Sequence, residues 1–157
     1  HAYFLPGAKL LRAMRNAARS GVAVTLLLPG SSDVPLIHAA TVQLYRRLVS
    51  AGIRIYEWHR TVFHAKAAVI DGHLSMLGSF NLDPLSLANL EVLVEIEDRE
   101  LAAELEAWAH ARMRDAHAVR TGETALGTGF QRWYLGTLGV WATRIITAIG
   151  RLLDKGH

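Results

Sequence analysis

The sequence predicts an α/β fold with a mixed, largely parallel β-sheet flanked by helices on both faces, followed by a C-terminal amphipathic helix. Short apolar runs of strand length alternate with longer segments whose apolar residues recur at helical spacing. The connections between these segments are short, which is typical of strand–helix–strand units in a parallel sheet. With 157 residues, 51% of them hydrophobic, the chain is long enough for one domain with a buried core but cramped for two.

The first half of the chain alternates between helix and strand. Apolar residues recur at helical spacing over 10–18, and Gly21 follows as a helix stop. Residues 22–28 form a short apolar run, whose length favours a buried strand over a helix. A second helix is predicted over 37–48 because its apolar residues share one face, and a second strand is predicted over 53–57.

A β-hairpin is predicted in the centre of the chain. Residues 66–71 and 74–79 are both rich in strand-forming residues, and the Asp71-Gly72 pair between them is a strong hairpin signal. A further strand is predicted over 90–96, where apolar residues alternate with others. Asp98 is a suitable cap for a following helix, which we expect to pack on the sheet.

Composition divides the chain into a body over 1–118, a linker over 119–129 that is rich in Gly and Thr, and a basic amphipathic tail over 130–157. Apolar residues of the tail follow helical spacing, and its basic residues share another side. Arg132 and Arg144 interrupt the apolar run, so the tail lacks the roughly 18 uncharged residues that span a bilayer. We expect it to lie on a membrane surface, with packing against protein as the alternative.

The net charge of +3 lies in the tail, where four basic residues accompany one acidic residue. Basic and acidic residues balance over the rest of the chain, so no broad basic surface for nucleic acid is predicted. No cysteine is present, which excludes disulfides and thiolate metal clusters. The chain opens on an apolar run without an initiator methionine, and we expect it to be a fragment of a longer protein.

One constellation of polar residues specifies a chemistry, and it occurs once. It combines an imidazole that can attack phosphorus, an ammonium that can neutralise phosphate oxygens, and small polar donors. The first two members are two residues apart on a predicted strand, so we expect both to face one phosphate. The members are His64, Lys66, Asp71, Gly78, Ser79 and Asn81.

The pattern H-x-K-x4-D-x6-G-S-x-N formed by these residues resembles the HKD motif of the phospholipase D superfamily. Six fixed positions in eighteen make the signal specific. The surroundings resemble the second half of bacterial cardiolipin synthases, and the resemblance covers about residues 2–114. The stretches that carry it are 2–6, 26–33, 44–45, 52–57, 81–86 and 89–91.

This resemblance implies a catalytic site in which each of two HKD motifs supplies one histidine. One histidine attacks phosphorus to give a phosphohistidine, and the other protonates the departing alkoxide. Lys66 and Asn81 would bind the non-bridging phosphate oxygens together with His64, supported by Ser79. Glu91 would orient a ring nitrogen of His64, and Asp71 would anchor the hairpin corner. No metal and no other cofactor is implied.

The function implied is that of a phosphatidyltransferase that forms cardiolipin by passing a phosphatidyl group to phosphatidylglycerol or a related lipid. This chain would supply one HKD motif, and the second would come from a missing N-terminal part of the protein or from a homodimer partner. The enzyme would be peripheral on the cytoplasmic face of the bacterial inner membrane, held there by the basic tail. Nucleic acid is not an expected partner.

Two other functions stay open at this point. A homodimeric phosphodiesterase, nuclease or phospholipase D with a single HKD motif would suit a short chain. A non-catalytic lipid-binding half-domain is the third possibility, although an intact motif argues against it. Outside the motif, Trp58 and His59 either line the entrance for the substrate or lie on the surface, and His38 is interpreted as structural or solvated.

Overall fold

The structure is a computed structural model that describes residues 2–32, 34–83 and 86–120. Within this part of the chain, six strands form two three-stranded sheets with the orders β1-β2-β6 and β3-β4-β5. The strands are β1 (Thr25–Pro29), β2 (Arg54–Trp58), β3 (Ala67–Ile70), β4 (Leu74–Gly78), β5 (Leu93–Glu97) and β6 (His117–Ala118). The helices are α1 (Ala8–Arg19), α2 (Pro35–Val49) and α3 (Arg99–Met113), with a single 3-10 turn at Ser86–Ala88.

The α/β class is confirmed, although the described strands include less parallel pairing than expected. β1 and β2 are parallel, whereas β6 is antiparallel to β2 and the β3-β4-β5 sheet is antiparallel throughout. The physical reason is the tight turn at Asp71 and Gly72, which have φ angles of 52° and 64° and return the chain directly beside itself. The predicted hairpin is therefore confirmed, and it makes this half of the fold antiparallel.

A hydrophobic core holds α1 and α2 against the first sheet. Phe4, Leu28 and Leu48 are at most 1% exposed, and side chains from one face of α1 pack against this cluster. Burial of such side chains is worth about 1.5–3 kcal/mol each, so this cluster is the main source of stability in the described body. Its buried members are Phe4, Leu28, Val42, Tyr45, Leu48, Ile53 and Ile55.

The strands begin later than the sequence predicts, for local reasons. The N–H of Val22 donates to Ala17 O in the final turn of α1, so β1 starts only at Thr25. Before β5, the N–H of Val92 donates to the Ser79 side chain rather than to a strand partner, and the regular ladder starts at Leu93.

Residues 2–5, called the opening segment below, connect the two halves of the body, which are the part built on the β1-β2-β6 sheet and the part built on the β3-β4-β5 sheet. Phe4 forms a parallel bridge with Leu82, and the N–H of Leu5 donates to Leu82 O at 2.6 Å. On the other side, the Thr41 hydroxyl on α2 lies 2.6 Å from Phe4 O. The backbone of the opening segment is thus fixed on both sides. This also fixes the backbone position of Tyr3, which precedes Phe4.

The last strand of the described body is β6. β6 was not predicted, yet it pairs with β2, and the N–H of Val119 donates to Ile55 O at 2.9 Å. Val119 also packs against the core, so it continues the body rather than opening the linker. The remainder of the predicted linker from 121, and the predicted tail over 130–157, lie outside the described residues. In the part of the chain that is described, no helix has the length and apolar character needed to cross a bilayer.

The close approach of β4 to the chain before β5 predicts a sharp response to substitution of Gly78. A Cβ atom at Gly78 would overlap the carbonyl oxygen of Val92, which is backbone and cannot move aside as a side chain can. We expect Gly78→Ala to lower the free energy of unfolding by about 1–3 kcal/mol, as overpacking does. Gly7→Ala is the matched control, because a Cβ there meets no atom within 4 Å. Urea unfolding followed by circular dichroism compares the two variants, and equal effects would contradict the prediction.

Candidate active site

His64 is exposed at the end of a loop that is fixed from three directions. Phe63 is buried, and its ring lies 6.0 Å from that of Trp108 on α3. Arg60 forms an ion pair with Asp115 at 3.5 Å, immediately after α3. At the start of the loop, the Trp58 indole donates to the Thr61 hydroxyl at 3.0 Å. The backbone that delivers the imidazole is therefore held by packing, charge and hydrogen bonding together.

Tyr3 is the aromatic neighbour of the His64 imidazole. The two ring centroids are 6.4 Å apart and the ring planes are inclined by 63°, an edge-to-face contact. Tyr3 belongs to the opening segment, whose backbone is bound to Leu82 and Thr41. Sequence reasoning did not single out Tyr3, because its contact with His64 spans sixty residues of chain and leaves no local pattern.

Lys66 lies just before β3, half-buried, among acidic side chains. Burial lowers the pKa of its ammonium, and the negative charges of Glu91 and Asp83 act against that shift. Its Nζ also donates to His64 O at 3.4 Å. The two carboxylates favour the charged form of Lys66, which is the form that can bind a phosphate oxygen. Asp83 was not predicted as a site residue.

Ser79 and Glu91 form a pair at the end of β4. The Ser79 hydroxyl donates to the Glu91 carboxylate and accepts the N–H of Val92 at 3.0 Å. The predicted hydrogen bond from Glu91 to the ring of His64 is not formed between these two described residues. The reason is local, because Glu91 precedes the regular part of β5 and lies directly against the Ser79 hydroxyl. Glu91 therefore acts on Lys66 through its charge.

Asn81 begins a tight polar turn. Its N–H donates to the Ser86 hydroxyl at 3.1 Å, and Ser86 in turn donates its N–H to the Asp83 carboxylate at 3.2 Å. The side-chain oxygen of Asn81 is buried and has no hydrogen-bond partner. A buried polar atom of this kind costs about 1–3 kcal/mol when it stays unpaired, so it marks a place where water or a ligand completes the hydrogen bonding.

Asp71 is placed apart from the other predicted site residues. It lies at the turn end of the hairpin, five residues from Lys66, which corresponds to roughly 17 Å of extended chain. Its side chain is exposed, and its carbonyl oxygen lies 3.2 Å from His73 Nδ1. Asp71 thus lies at the hairpin corner, the position that the sequence analysis gave to it as a structural anchor.

A second polar cluster, formed by His38, Tyr45, Glu57 and His59, lies between α2 and β2. The Tyr45 hydroxyl donates to Glu57 Oε1 at 3.0 Å, and His59 Nε2 lies 3.6 Å from Glu57 Oε2. Burial, followed by the Glu57 charge and this hydrogen bond, raises the pKa of Tyr45. Glu57 is only 3% exposed and points inward with Ile55. An acidic residue at a core-facing position of a strand was the sequence signal that could have identified this cluster.

The arrangement suits the binding of one phosphate group beside an accessible imidazole. Lys66 supplies the positive charge, Ser79 and Glu91 hold the end of β4 in place, and Asn81 has an amide nitrogen that can donate to a phosphate oxygen. In the described ranges, no three side chains of the His, Asp or Glu type are grouped so that they could hold a metal ion. Nucleophilic attack by an imidazole does not require these His, Asp or Glu side chains to bind a metal ion.

Comparison with known sequences connects this site to a family. The sequence family described as "Cardiolipin synthase, PLD-like domain" matches this chain over residues 1–113. The chain is 48% identical over 100 residues to cardiolipin synthase B of Salmonella typhi, which covers 63% of this chain and 24% of that protein. It is 36% identical over 131 residues to the minor cardiolipin synthase ClsB of Bacillus subtilis, covering 83% of this chain and 33% of the relative.

Comparison with solved structures agrees at the level of the fold. The phospholipase D family member Nuc from Salmonella typhimurium superposes with a TM-score of 0.65 at 20% identity, over 76% of this chain and 78% of that one. NucT from Helicobacter pylori gives a TM-score of 0.60 at 18% identity, over 75% and 79% of the two chains. Both likenesses concern the fold alone.

The carboxylates around Lys66 predict a measurable change in its titration. Because the Glu91 charge favours the ammonium form, we expect Glu91→Gln to lower the pKa of Lys66 further below its usual value. Glu95→Gln, an exposed position on β5, is the control and should leave that pKa unchanged. NMR titration of the lysine side-chain resonances measures the shift, and a higher Lys66 pKa in Glu91→Gln would contradict the assignment.

Proposed function

The chain belongs to the phospholipase D-like domain family of cardiolipin synthases, and on that premise we propose that it forms one catalytic half of a phosphatidyltransferase. The observation that carries the proposal is the pairing of an exposed His64 with Lys66, whose Nζ donates to His64 O at 3.4 Å. The reaction we propose transfers a phosphatidyl group to phosphatidylglycerol to form cardiolipin. The substrate is a phospholipid that carries one phosphodiester.

The second histidine is proposed to come from another HKD motif. The chain spans about a quarter of the length of the curated relatives named cardiolipin synthase B and a third of ClsB. The remainder of such a protein is long enough to contain the second HKD motif. A second copy of this chain is the alternative source of that motif. In both cases the exposed imidazole of His64 would face the partner motif across the bound phosphate.

The proposed reaction has two displacement steps. An imidazole nitrogen of one histidine forms a bond to phosphorus, and the bond from phosphorus to the headgroup oxygen of the donor lipid breaks. The second histidine gives its proton to that oxygen, which leaves as free glycerol when the donor is phosphatidylglycerol. The second histidine then takes a proton from the acceptor hydroxyl. The oxygen of that hydroxyl attacks phosphorus and releases the first histidine. Two phosphatidylglycerol molecules thus give one cardiolipin and one glycerol.

Each residue of the site has a proposed role in these steps. Lys66 and the Asn81 amide bind the non-bridging oxygens and stabilise the negative charge that develops on them. Ser79 fixes Glu91, and Glu91 keeps Lys66 charged. Asp71 contributes the turn that sets the hairpin. Which of the two histidines attacks first is left open by this division of roles.

Membrane contact is proposed for the basic tail over 130–157, connected to the body by a linker that ends at 129. Four basic residues and an apolar stripe match the composition of helices that lie on anionic lipid. The proposed location is the cytoplasmic face of the bacterial inner membrane, as a peripheral protein.

Substitution of His64 tests the proposal directly. In the complete protein that carries this chain, we expect His64→Ala to reduce cardiolipin formation by a factor on the order of 10²–10⁴, because an acid–base or nucleophilic group is lost. Mass spectrometry of the lipids after incubation with phosphatidylglycerol vesicles measures the product. His110→Ala is the matched control, because His110 is exposed on α3, and should retain activity.

The same incubation separates the proposed transfer from its rivals. Release of phosphatidic acid without cardiolipin would indicate a phospholipase D that uses water as the acceptor. Cleavage of plasmid DNA in the presence of a chelator, abolished in His64→Ala, would indicate a nuclease. Cardiolipin formation that persists in His64→Ala would contradict the catalytic role of this motif.

A further inference from the structure

The even balance of charge over the body conceals a separation between two parts of the chain. Residues 1–60, which contain α1, α2, β1 and β2, include eight basic and two acidic residues. Residues 61–120, which contain β3, β4, β5 and α3, include five basic and ten acidic residues. Glu57 belongs to the first part and is buried, so the charged side chains exposed among the described residues of that part are all basic. The molecule is therefore electrostatically polar.

The basic residues are densest on α1, which has four of them and no acidic residue. Positions 9, 12, 16 and 19 are separated by three or four residues, so their side chains share one side of the helix. A different side of α1 packs on the core, through Leu11, Met14 and Ala18. The outer side is exposed and is called the basic face below. Its members are Lys9, Arg12, Asn16 and Arg19.

The positive charges of α1 are not compensated within the described part of the protein. No ion pair there joins Lys9, Arg12 or Arg19 to a carboxylate. Arg12 lies three residues from both Lys9 and Arg15, and like charges at this spacing repel each other and destabilise a helix. Lys9 also lies in the first turn, where the helix dipole disfavours a positive charge. The charge pattern therefore weakens α1 on its own, and an external anion would relieve the repulsion.

We propose that the basic face of α1 docks the protein on a membrane surface that contains anionic lipid. Basic residues along the polar side of an amphipathic helix are typical of segments that contact such surfaces, which attract lysine and arginine electrostatically. This contact would be separate from that of the tail over 130–157. The choice of lipid among possible polyanions rests on the proposed function, in which the donor phosphatidylglycerol and the product cardiolipin are both anionic.

The composition of α1 favours a lipid surface over other anionic partners. The helix has no aromatic residue, whereas proteins that bind single-stranded nucleic acid stack its bases on aromatic side chains. The basic side chains project from an exposed helix rather than from the walls of a pocket. Such an arrangement suits a layer of many headgroups better than one bound phosphate.

The chain connects the basic face closely to the candidate active site. α1 begins at Ala8, three residues after the opening segment, in which Tyr3 contacts the His64 ring. Six residues separate Tyr3 from Lys9, which is at most about 20 Å of extended chain. Docking through α1 would thus bring His64 near the headgroup layer, where the phosphodiester of a phospholipid lies. The acidic part over 61–120 would be repelled from the same surface, so the separation of charge also orients the protein.

Binding to vesicles tests the docking directly. The full chain of 157 residues is sedimented with vesicles of phosphatidylcholine, with or without phosphatidylglycerol. We expect Lys9→Gln/Arg12→Gln/Arg19→Gln to bind the anionic vesicles about a hundredfold more weakly than the unmodified chain, because each basic residue near such a surface contributes roughly fivefold. Glutamine retains helix propensity, and circular dichroism verifies the fold.

A second triple variant is the matched control. Arg99→Gln/Arg114→Gln/Arg120→Gln removes the same charge from exposed positions in the acidic part and should bind nearly as well as the unmodified chain. Equal losses in the two triple variants would overturn the proposal, because net charge alone would then explain the binding. Unchanged vesicle binding in the α1 variant, with loss of binding to a double-stranded DNA oligonucleotide, would assign the basic face to nucleic acid instead.

The orientation on the membrane has its own test. The chain contains no cysteine, so one introduced cysteine carries a single nitroxide label. The labelled variants are Asn16→Cys on the basic face and Glu104→Cys at an exposed position of α3, and the vesicles contain a lipid whose headgroup chelates nickel. We expect the nickel to enhance relaxation of the label at 16 and to have little effect at 104. An equal or larger effect at 104 would contradict docking through α1.

The two proposals fail in different ways. Cardiolipin formation by the complete protein, together with unchanged vesicle binding in the α1 variant, would remove the docking surface and leave the phosphatidyltransferase function standing. Vesicle binding that depends on the basic face, without any cardiolipin formed, would contradict the proposed function alone.

Discussion

The structure depends on the way the opening segment joins its two halves. Phe4 is buried in the core of the first sheet, yet its backbone bridges Leu82, which follows the hairpin of the second. The Thr41 hydroxyl on α2 donates a hydrogen bond to the carbonyl oxygen of Phe4. This joint adds to the contacts that α3 makes with both β2 and the hairpin. The core and the site are thus coupled by the backbone hydrogen bond from Leu5 to Leu82 and by the bond from the Thr41 hydroxyl to Phe4 O.

Around Lys66, two physical effects oppose each other, and burial is the larger, so the pKa of Lys66 is lowered. Burial disfavours its charge, while Glu91 and Asp83 favour it. The two carboxylates thus offset part of the effect of burial on the charge of Lys66. The pair formed by Ser79 and Glu91 fixes one of these carboxylates, so the balance is built into the end of β4.

Sequence reasoning recovered what is encoded locally. The helices α1 and α2, the hairpin at Asp71 and Gly72, and the capping of α3 by Asp98 follow from spacing and turn chemistry, and the structure confirms them. The family follows from the motif. Tyr3 against His64, and Asp83 near Lys66, could not be predicted because they depend on how distant segments pack. Glu91 was identified as a site residue, but its hydrogen-bond partner is Ser79 and not His64. The start of β5 decides which side chain Glu91 reaches, and β5 starts a few residues later than predicted.

The loop that carries His64 is anchored by contacts that respond differently to counterions. The ion pair of Arg60 and Asp115 is largely exposed and is weakened by salt, with a Debye length of about 8 Å at physiological ionic strength. The tilted contact of the Phe63 ring with Trp108, where Arg112 lies 3.7 Å from the centre of the indole, relies on packing that salt affects much less. A rise in ionic strength would therefore weaken one anchor of this loop while the other anchor stays in place.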